Sequence, residues 1–220
     1  MSSVDQERRR LRRMYSLERT LWARSIRFVA GVDEAGRGPL AGPVVAAAVV
    51  LDRELNLDGL NDSKCVPKHL RAKLAVEIKK AAAGWGIGIA PVGCIERCNV
   101  LKATFMAMYR AIEHLKIRPE YVLVDGSFPI PGLDLPQTAI IQGDQKSAAI
   151  AAASILAKTT RDAIMEYYGR LYPKYDFARN KGYPTRAHLQ ALKEYGPCFL
   201  HRRTFRGVTG VKGKVDDDCR

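Results

Sequence analysis

The chain has 220 residues, 47% apolar and 27% charged, with a formal net charge of +13. That length is ample for a real core in one domain, or one domain with appendages, and the apolar content is ordinary for a globular protein. There is no apolar signal core at the start and no run near the roughly 18 residues of a membrane span. A soluble, cytoplasmic, monomeric protein without a membrane partner is expected. The positive charge is uneven: residues 1–27 hold eight Arg against three acids, and residues 158–206 hold eleven Lys/Arg against four acids. Such asymmetry favours a polyanion as partner, nucleic acid before membrane. The five cysteines (Cys65, Cys94, Cys98, Cys198, Cys219) are odd in number and dispersed, as in a reduced cytosolic chain. Cys94 and Cys98 have a ligand-like gap, but no second pair completes a zinc site.

Residues 1–25 read as a basic N-terminal arm, either helical or a disordered tail. The apolar runs Ile26–Val32 and Val44–Leu51 read as strands, and their short Gly/Pro-rich connection implies antiparallel pairing. Pro67–Ala83 has the period of an amphipathic helix, with Leu70, Leu74 and Ile78 on one face. A Gly-rich strand near a sheet edge is expected over Trp85–Ala90, then a helix over Glu96–Leu115 that ends before Pro119. Tyr121–Val124 reads as a strand buried on both faces and Thr138–Ile141 as its successor. A helix rich in small residues follows from about Lys146 to Tyr168. The part beyond Leu171 contains at least one short helix, Thr185–Glu194. This order describes an α/β fold, a mixed sheet covered by helices, with a small helical C-terminal extension over about 170–206 and a tail at 207–220.

Four acids stand at comparable places: Asp33 and Glu34 after the first strand, Asp125 after the buried strand, and Asp144 after the next. Functional sites in open α/β sheets gather outside the carboxyl ends of strands. Carboxylates sharing one cleft repel unless cations neutralise them, and oxygen-only ligands favour Mg²⁺ or Mn²⁺ over zinc. Two such ions roughly 3.5–4 Å apart can clamp a phosphodiester. Adjacent strand residues point to opposite faces, so Asp33 and Glu34 share a site only if the strand ends or bulges between them. Taken singly, Asp144 reads equally well as a helix N-cap and Asp125-Gly126 as an ordinary turn. The turn Gly36-Arg37-Gly38 exposes backbone N–H groups and a guanidinium, which suits a phosphate.

The chain resembles bacterial ribonuclease HII. The match is carried by Gly31-Val-Asp-Glu-Ala-Gly-Arg-Gly-Pro39, Asn61-Asp-Ser-Lys64, Val124-Asp-Gly126, Gly143-Asp144, Ala152-Ala-Ser-Ile-Leu-Ala-Lys158, Thr160-Arg-Asp162, Lys181-Gly-Tyr-Pro-Thr185 and His201-Arg-Arg-Thr-Phe205. The resemblance implies a ribonuclease H-like catalytic domain over 26–206 and an endonuclease that hydrolyses the RNA strand of RNA–DNA hybrids. It also implies incision 5′ of single ribonucleotides in duplex DNA, leaving a 5′-phosphate and a 3′-hydroxyl. By the same resemblance Asp33, Glu34, Asp125 and Asp144 are the catalytic carboxylates holding two divalent ions, Mn²⁺ or Mg²⁺. Gly36, Arg37 and Gly38 are similar to the loop that reads the ribose 2′-hydroxyl, the group that separates RNA from DNA. Tyr183 resembles the tyrosine that packs on the deoxyribose at the junction, and Lys64 and Lys158 the phosphate contacts. Pro184 stands where the commoner family form has glycine, and it stiffens the tyrosine loop. Ribonuclease HIII is disfavoured by Arg37, an integrase or resolvase by the Gly-Arg-Gly turn, and a non-catalytic binder by the four intact acids.

Overall fold

The computed structural model describes residues 3–211, so part of the tail, with Cys219, lies outside the described residues. In chain order the elements are helices α1 (Ser3–Met14) and α2 (Ser16–Trp22), strands β1 (Val29–Ala35) and β2 (Val44–Leu51), helix α3 (Lys68–Ala81), strand β3 (Gly84–Ala90) and helix α4 (Val92–Glu113). Strands β4 (Tyr121–Asp125) and β5 (Gln137–Ile140) follow, then a 3₁₀ turn (Gly143–Gln145), helix α5 (Ala148–Leu171), a second 3₁₀ turn (Pro173–Tyr175) and helices α6 (Phe177–Asn180) and α7 (Arg186–Tyr195). The sheet order is β3-β2-β1-β4-β5, with β1–β2 and β2–β3 antiparallel and β1–β4 and β4–β5 parallel. The expected α/β class, the antiparallel first pair and the edge position of β3 are all present.

Strand β2 is buried along its whole length because helices cover both faces of the sheet. Its odd positions, Ala47, Val49 and Leu51, pack with α3 and the alanines of α5. Its even positions, Ala46, Ala48 and Val50, pack against α4. This alternation follows from the two-residue period of a strand. The small residues of α5 bring its backbone close to β1. A Cβ on Gly31 would fall 2.1 Å from the carbonyl carbon of Ala149, so the helix could not keep this seat over any larger residue.

Three local readings change. Strand β1 runs three residues beyond the expected Val32 and contains both Asp33 and Glu34, which pair in regular register with Ala47 and Ala46. There is no bulge or strand end between the two acids, because the ladder with β2 carries the strand past the point where its own apolar run stops. The condition set for a shared site is not met, yet the Glu34 charge still reaches Asp33 and both feel Asp125 at the open end of the strand. Helix α4 begins earlier than expected and breaks at Asn99, whose φ of 71° is left-handed. The first 25 residues, read as an arm, contribute Leu11, Met14 and Tyr15 to the main core and Leu21 to another cluster.

The segment also reaches the start of α5. Glu18 of α2 is 0% exposed, and its Oε1 accepts hydrogen bonds from the Ser147 hydroxyl at 2.5 Å and the Ala149 N–H at 2.9 Å. Ser147 caps α5 by accepting from the Ile150 N–H, and the added carboxylate satisfies further free donors where the helix dipole favours an anion. Burial raises the Glu18 pKa against those hydrogen bonds, and its Oε2 has no partner.

Candidate active site

Pairing between β1 and β4 runs from Val29↔Tyr121 to Val32↔Val124 and stops, although β1 continues beside β2. In that register Asp33 comes opposite Asp125, the last residue of β4, one step past the ladder. The parallel ladder therefore opens at its carboxyl end with an acid on each strand. Asp144 arrives from the turn after β5, which Gln142 enters with a left-handed φ of 56°. It is buried and does not cap α5, a role taken by Ser147. The N-cap alternative for Asp144 is thereby removed.

The acids press on one another. Burial, then the Glu34 and Asp125 charges, holds the Asp33 carboxyl well above its usual range. Burial also raises Glu34, with Arg37 opposing; Arg37 Nη1 lies 3.2 Å from Glu34 Oε1. Asp144 is pushed up to about 6 by burial and then by Asp62 and Asp125. Asp62 is thus a fifth carboxylate at this place, buried in the Asn61-Asp-Ser-Lys64 loop, and the sequence reading passed over it in favour of its neighbour Lys64. Ser154 donates its hydroxyl to Ser63 of that loop at 2.9 Å and also lies within hydrogen-bond reach of Asp33.

Cations are sparse here. Lys64 Nζ lies 3.9 Å from Asp62 and 4.0 Å from Asp144, with its side chain 81% exposed. Lys158 sits on the α5 face shared by Ser154 and Arg161, at i, i+4 and i+7 spacing. Its ammonium is nonetheless held by Asp162 at 2.6 Å. The structure therefore brings Lys64 to the acids and gives Lys158 to a neighbour on its own helix.

Among the described residues, no three His, Cys, Asp or Glu side chains form a ready-made cage for a metal. Backbone groups hold two of the acids individually: Asp33 Oδ1 accepts from the Glu34 N–H at 2.6 Å and Asp125 Oδ1 from the Gly143 N–H at 2.7 Å. The donor set still suits a hard divalent cation, since it is all oxygen, largely buried and short of positive charge.

The adjoining half of the site is built differently. Gly36 has a φ of 100°, and a Cβ there would lie 2.0 Å from Arg161 Nε. Two arginines, 1% and 0% exposed, hold this loop through its carbonyls. Arg202 donates to the carbonyls of Gly36 (2.6 Å), Arg37 (2.9 Å) and Gly42 (2.7 and 3.0 Å). Arg161 donates to Pro43 and Ala41 at 3.0 Å each and to Lys181 at 2.9 Å, so it ties the Gly36 loop to the tyrosine loop. The Leu40 N–H to Gly182 carbonyl bond adds a direct link of 2.8 Å. With so many fixed carbonyls, Arg37 and Gly38 stay exposed at the tip. Both buried arginines lie in motifs noted in the sequence; only their places in the fold reveal what they hold.

Tyr183 is 42% exposed, and its ring edge lies 3.9 Å from where a Gly38 Cβ would stand. Its carbonyl oxygen lies 2.8 Å from His188 Nδ1, and His188 Nε2 lies 3.0 Å from His201 Nε2. The Cys198 N–H donates to His201 Nδ1 at 3.0 Å. That donor leaves His201 protonated on Nε2, so His188 accepts there and donates from Nδ1 to Tyr183. One proton on each ring satisfies the whole chain. Burial lowers both imidazoles, His201 to about 3.

A family profile described as Ribonuclease HII matches residues 30–208. The chain is 51% identical over 202 residues to the ribonuclease HII of Caldanaerobacter subterraneus subsp. tengcongensis, covering 92% of this chain and 83% of that protein. It is 53% identical over 200 residues to that of Moorella thermoacetica, covering 91% and 97%. Among solved structures, the ribonuclease H2 of Pyrococcus horikoshii is similar with a TM-score of 0.69 at 27% identity, over 82% of this chain and 95% of that one. Bst-RNase HIII in complex with Mn²⁺ shares the fold, with a TM-score of 0.64 at 17% identity over 83% and 68%.

Proposed function

Starting from a chain that belongs to the ribonuclease HII family, and so is a ribonuclease H hydrolase cleaving the RNA of RNA–DNA hybrids, we propose that it also incises 5′ of single ribonucleotides in duplex DNA. In this reading Asp33, Glu34, Asp125 and Asp144 hold two divalent ions, Mn²⁺ or Mg²⁺, and the products carry a 5′-phosphate and a 3′-hydroxyl. The observation that carries it is the opening of the β1–β4 ladder onto buried acids, with the arginine-held Gly36–Gly38 loop and Tyr183 next to them.

Divalent ions bound there would offset the charge that develops on the phosphate and favour attack by water. The chain's own residues do the rest. The Asp33, Asp125 and Asp144 carboxylates are short of countercharge, which favours cation binding; the Mn²⁺ complex of a fold relative is in keeping with this. Arg202 and Arg161 fix the Gly36–Gly38 backbone so that its free N–H groups meet a 2′-hydroxyl without reorganisation. The Tyr183 ring, held from behind by the histidine chain, packs against the following sugar and leaves no room for a second hydroxyl there. Lys64, extended over the acids, contacts a phosphate. Lys158 does so from within its pair with Asp162.

A domain over 26–206 contains all these groups, and the partner is a nucleic-acid duplex engaged by a monomer. Among the described residues no helix is long and apolar enough to cross a membrane. The deciding experiment is cleavage of a DNA duplex with one embedded ribonucleotide, in Mg²⁺ or Mn²⁺. A single cut 5′ of the ribonucleotide is expected. Equal cutting of an all-DNA duplex would overturn the reading and favour a resolvase.

A further inference from the structure

We propose that helix α1 and the loop before α3 form a second nucleic-acid contact, a basic groove that holds duplex phosphates away from the cleaved bond. The proposal rests on the reading of the acid cluster as the place of cleavage. Helix α1 presents Gln6, Arg9, Arg10 and Arg13 at i, i+3, i+4 and i+7, which puts them on one face. Leu11 and Met14 anchor the helix from another side in the core. Opposite the arginine face stand Gly59, Asn61 and Cys65, and the space between is about 1080 Å³.

This groove leads toward the turn that carries Asp144. A second cavity of about 520 Å³ shares Arg10, Arg13, Asn61 and Cys65 with the first and extends to Gln145 and Lys146, beside Asp144. The two cavities therefore run on from α1 to Gln145 and Lys146, the residues directly after Asp144. Neither cavity is lined by the Gly36–Gly38 loop or by Tyr183, so the surface is separate from the sugar-reading half of the site.

The wall is rigid and its positive charge is available. Arg10 is used internally: it pairs with Glu7 at 2.7 Å and donates to the Leu60 carbonyl at 2.6 Å, while Glu7 accepts from the Gly59 N–H at 3.0 Å. These bonds fix α1 to the loop and neutralise the carboxylate at the mouth. Arg9 and Arg13 are exposed and make no salt bridge among the described residues, and Arg12, also exposed, lines the same cavity. A 12-residue helix is about 18 Å long, so the charged face suits a polymer of phosphates better than a small anion. Continuity with a nuclease site selects a nucleic-acid backbone over an acidic lipid surface.

The test uses the full chain with Arg9, Arg12 and Arg13 all replaced by Gln, which keeps helix propensity and removes charge. Binding is measured without divalent ions against two duplexes centred on one ribonucleotide, one long and one reaching only a few base pairs to each side. On the long duplex the variant should bind at least about tenfold more weakly at roughly 0.1 M salt, with the salt slope reduced by about 2 to 3, near 0.9 per lost phosphate contact. On the short duplex binding should stay within about twofold, and kcat at saturating substrate should be unchanged. Equal weakening on both duplexes, or an unchanged salt slope, overturns the groove. So does loss of binding to phosphatidylserine vesicles with duplex affinity intact. If the wild type fails to cut at the ribonucleotide, the cleavage reading fails by itself, and the two salt slopes still judge the groove.

Discussion

Around Asp33, Asp125 and Asp144 the site is short of positive charge, whereas around Gly36–Gly38 two guanidinium groups supply the carbonyls with donors. In the proposed reading the acid half is completed by added cations. The loop half is already satisfied by the chain itself. A region that must accept ions and release product tolerates unmet charge. If the loop distinguishes one hydroxyl as proposed, it must hold its geometry beforehand, because discrimination comes from fixed donors and excluded volume.

Substitutions can break this contrast. The largest effect is expected from Asp125→Asn, which removes a charge from the proposed cation-binding set. Cleavage of the single-ribonucleotide duplex should fall at least about a thousandfold, while duplex binding measured by fluorescence anisotropy persists. Undiminished cleavage would remove Asp125 from the mechanism. Arg202→Lys comes next. A lysine ammonium cannot reproduce the fork that serves Gly36, Arg37 and Gly42. Stability to urea should drop by about 3 kcal/mol or more, since stranded buried carbonyls cost about 1–3 kcal/mol each.

The two halves should also respond to pH with opposite sign. Asp144 titrates at about 6 in the folded chain against an ordinary 3.8, so its protonated form favours folding. In chelator-treated protein that contribution is lost as pH rises from about 3.8 to about 6, and divalent ions should restore stability at pH 7. His201 lies at about 3 against 6.5, so its neutral form favours folding, and its contribution is lost as pH falls from about 6.5 toward 3. Melting curves from pH 4 to 7 should show Asp144→Asn weakening the first trend, which Asp33 and Glu34 share, and His201→Asn weakening the second, which His188 shares. An Asp144→Asn variant with the wild-type pH slope would contradict the charge crowding. The smallest effect is expected from Tyr183→Ala: about a tenfold loss of preference for the ribonucleotide–deoxyribonucleotide step, as for loss of one ring contact worth about 1–3 kcal/mol. Wild-type selectivity in that variant would remove the tyrosine from junction reading.

What the sequence disclosed follows the same division. That Asp33, Glu34, Asp125 and Asp144 would stand near one another was legible because each ends or adjoins an apolar run, a signal contained in a few neighbouring residues. Asp62, Arg161 and Arg202 were not, because their roles depend on groups far along the chain, such as the carbonyls of residues 36–43. Strand β1 was read short since its apolar run stops at Val32, while its pairing with Ala46 and Ala47 continues. The N-terminal segment was read as an arm because its arginines masked the apolar stripe Leu11, Met14 and Leu21.

The Glu18 contact to Ser147 joins residues 129 positions apart. As the chain is synthesised, this carboxylate is among the first groups made, and its partners appear only after about two thirds of the protein exists. Until then Glu18 has no α5 N-terminus to bond. Helix α1 can dock earlier on residues 55–60, but the seat of α2 on α5 waits for the later half of the chain, and a contact of such sequence separation is slow to form. Asp144 stands three residues before Ser147, so a growing chain lacks the last of the four proposed carboxylates until about the time Glu18 gains its partner.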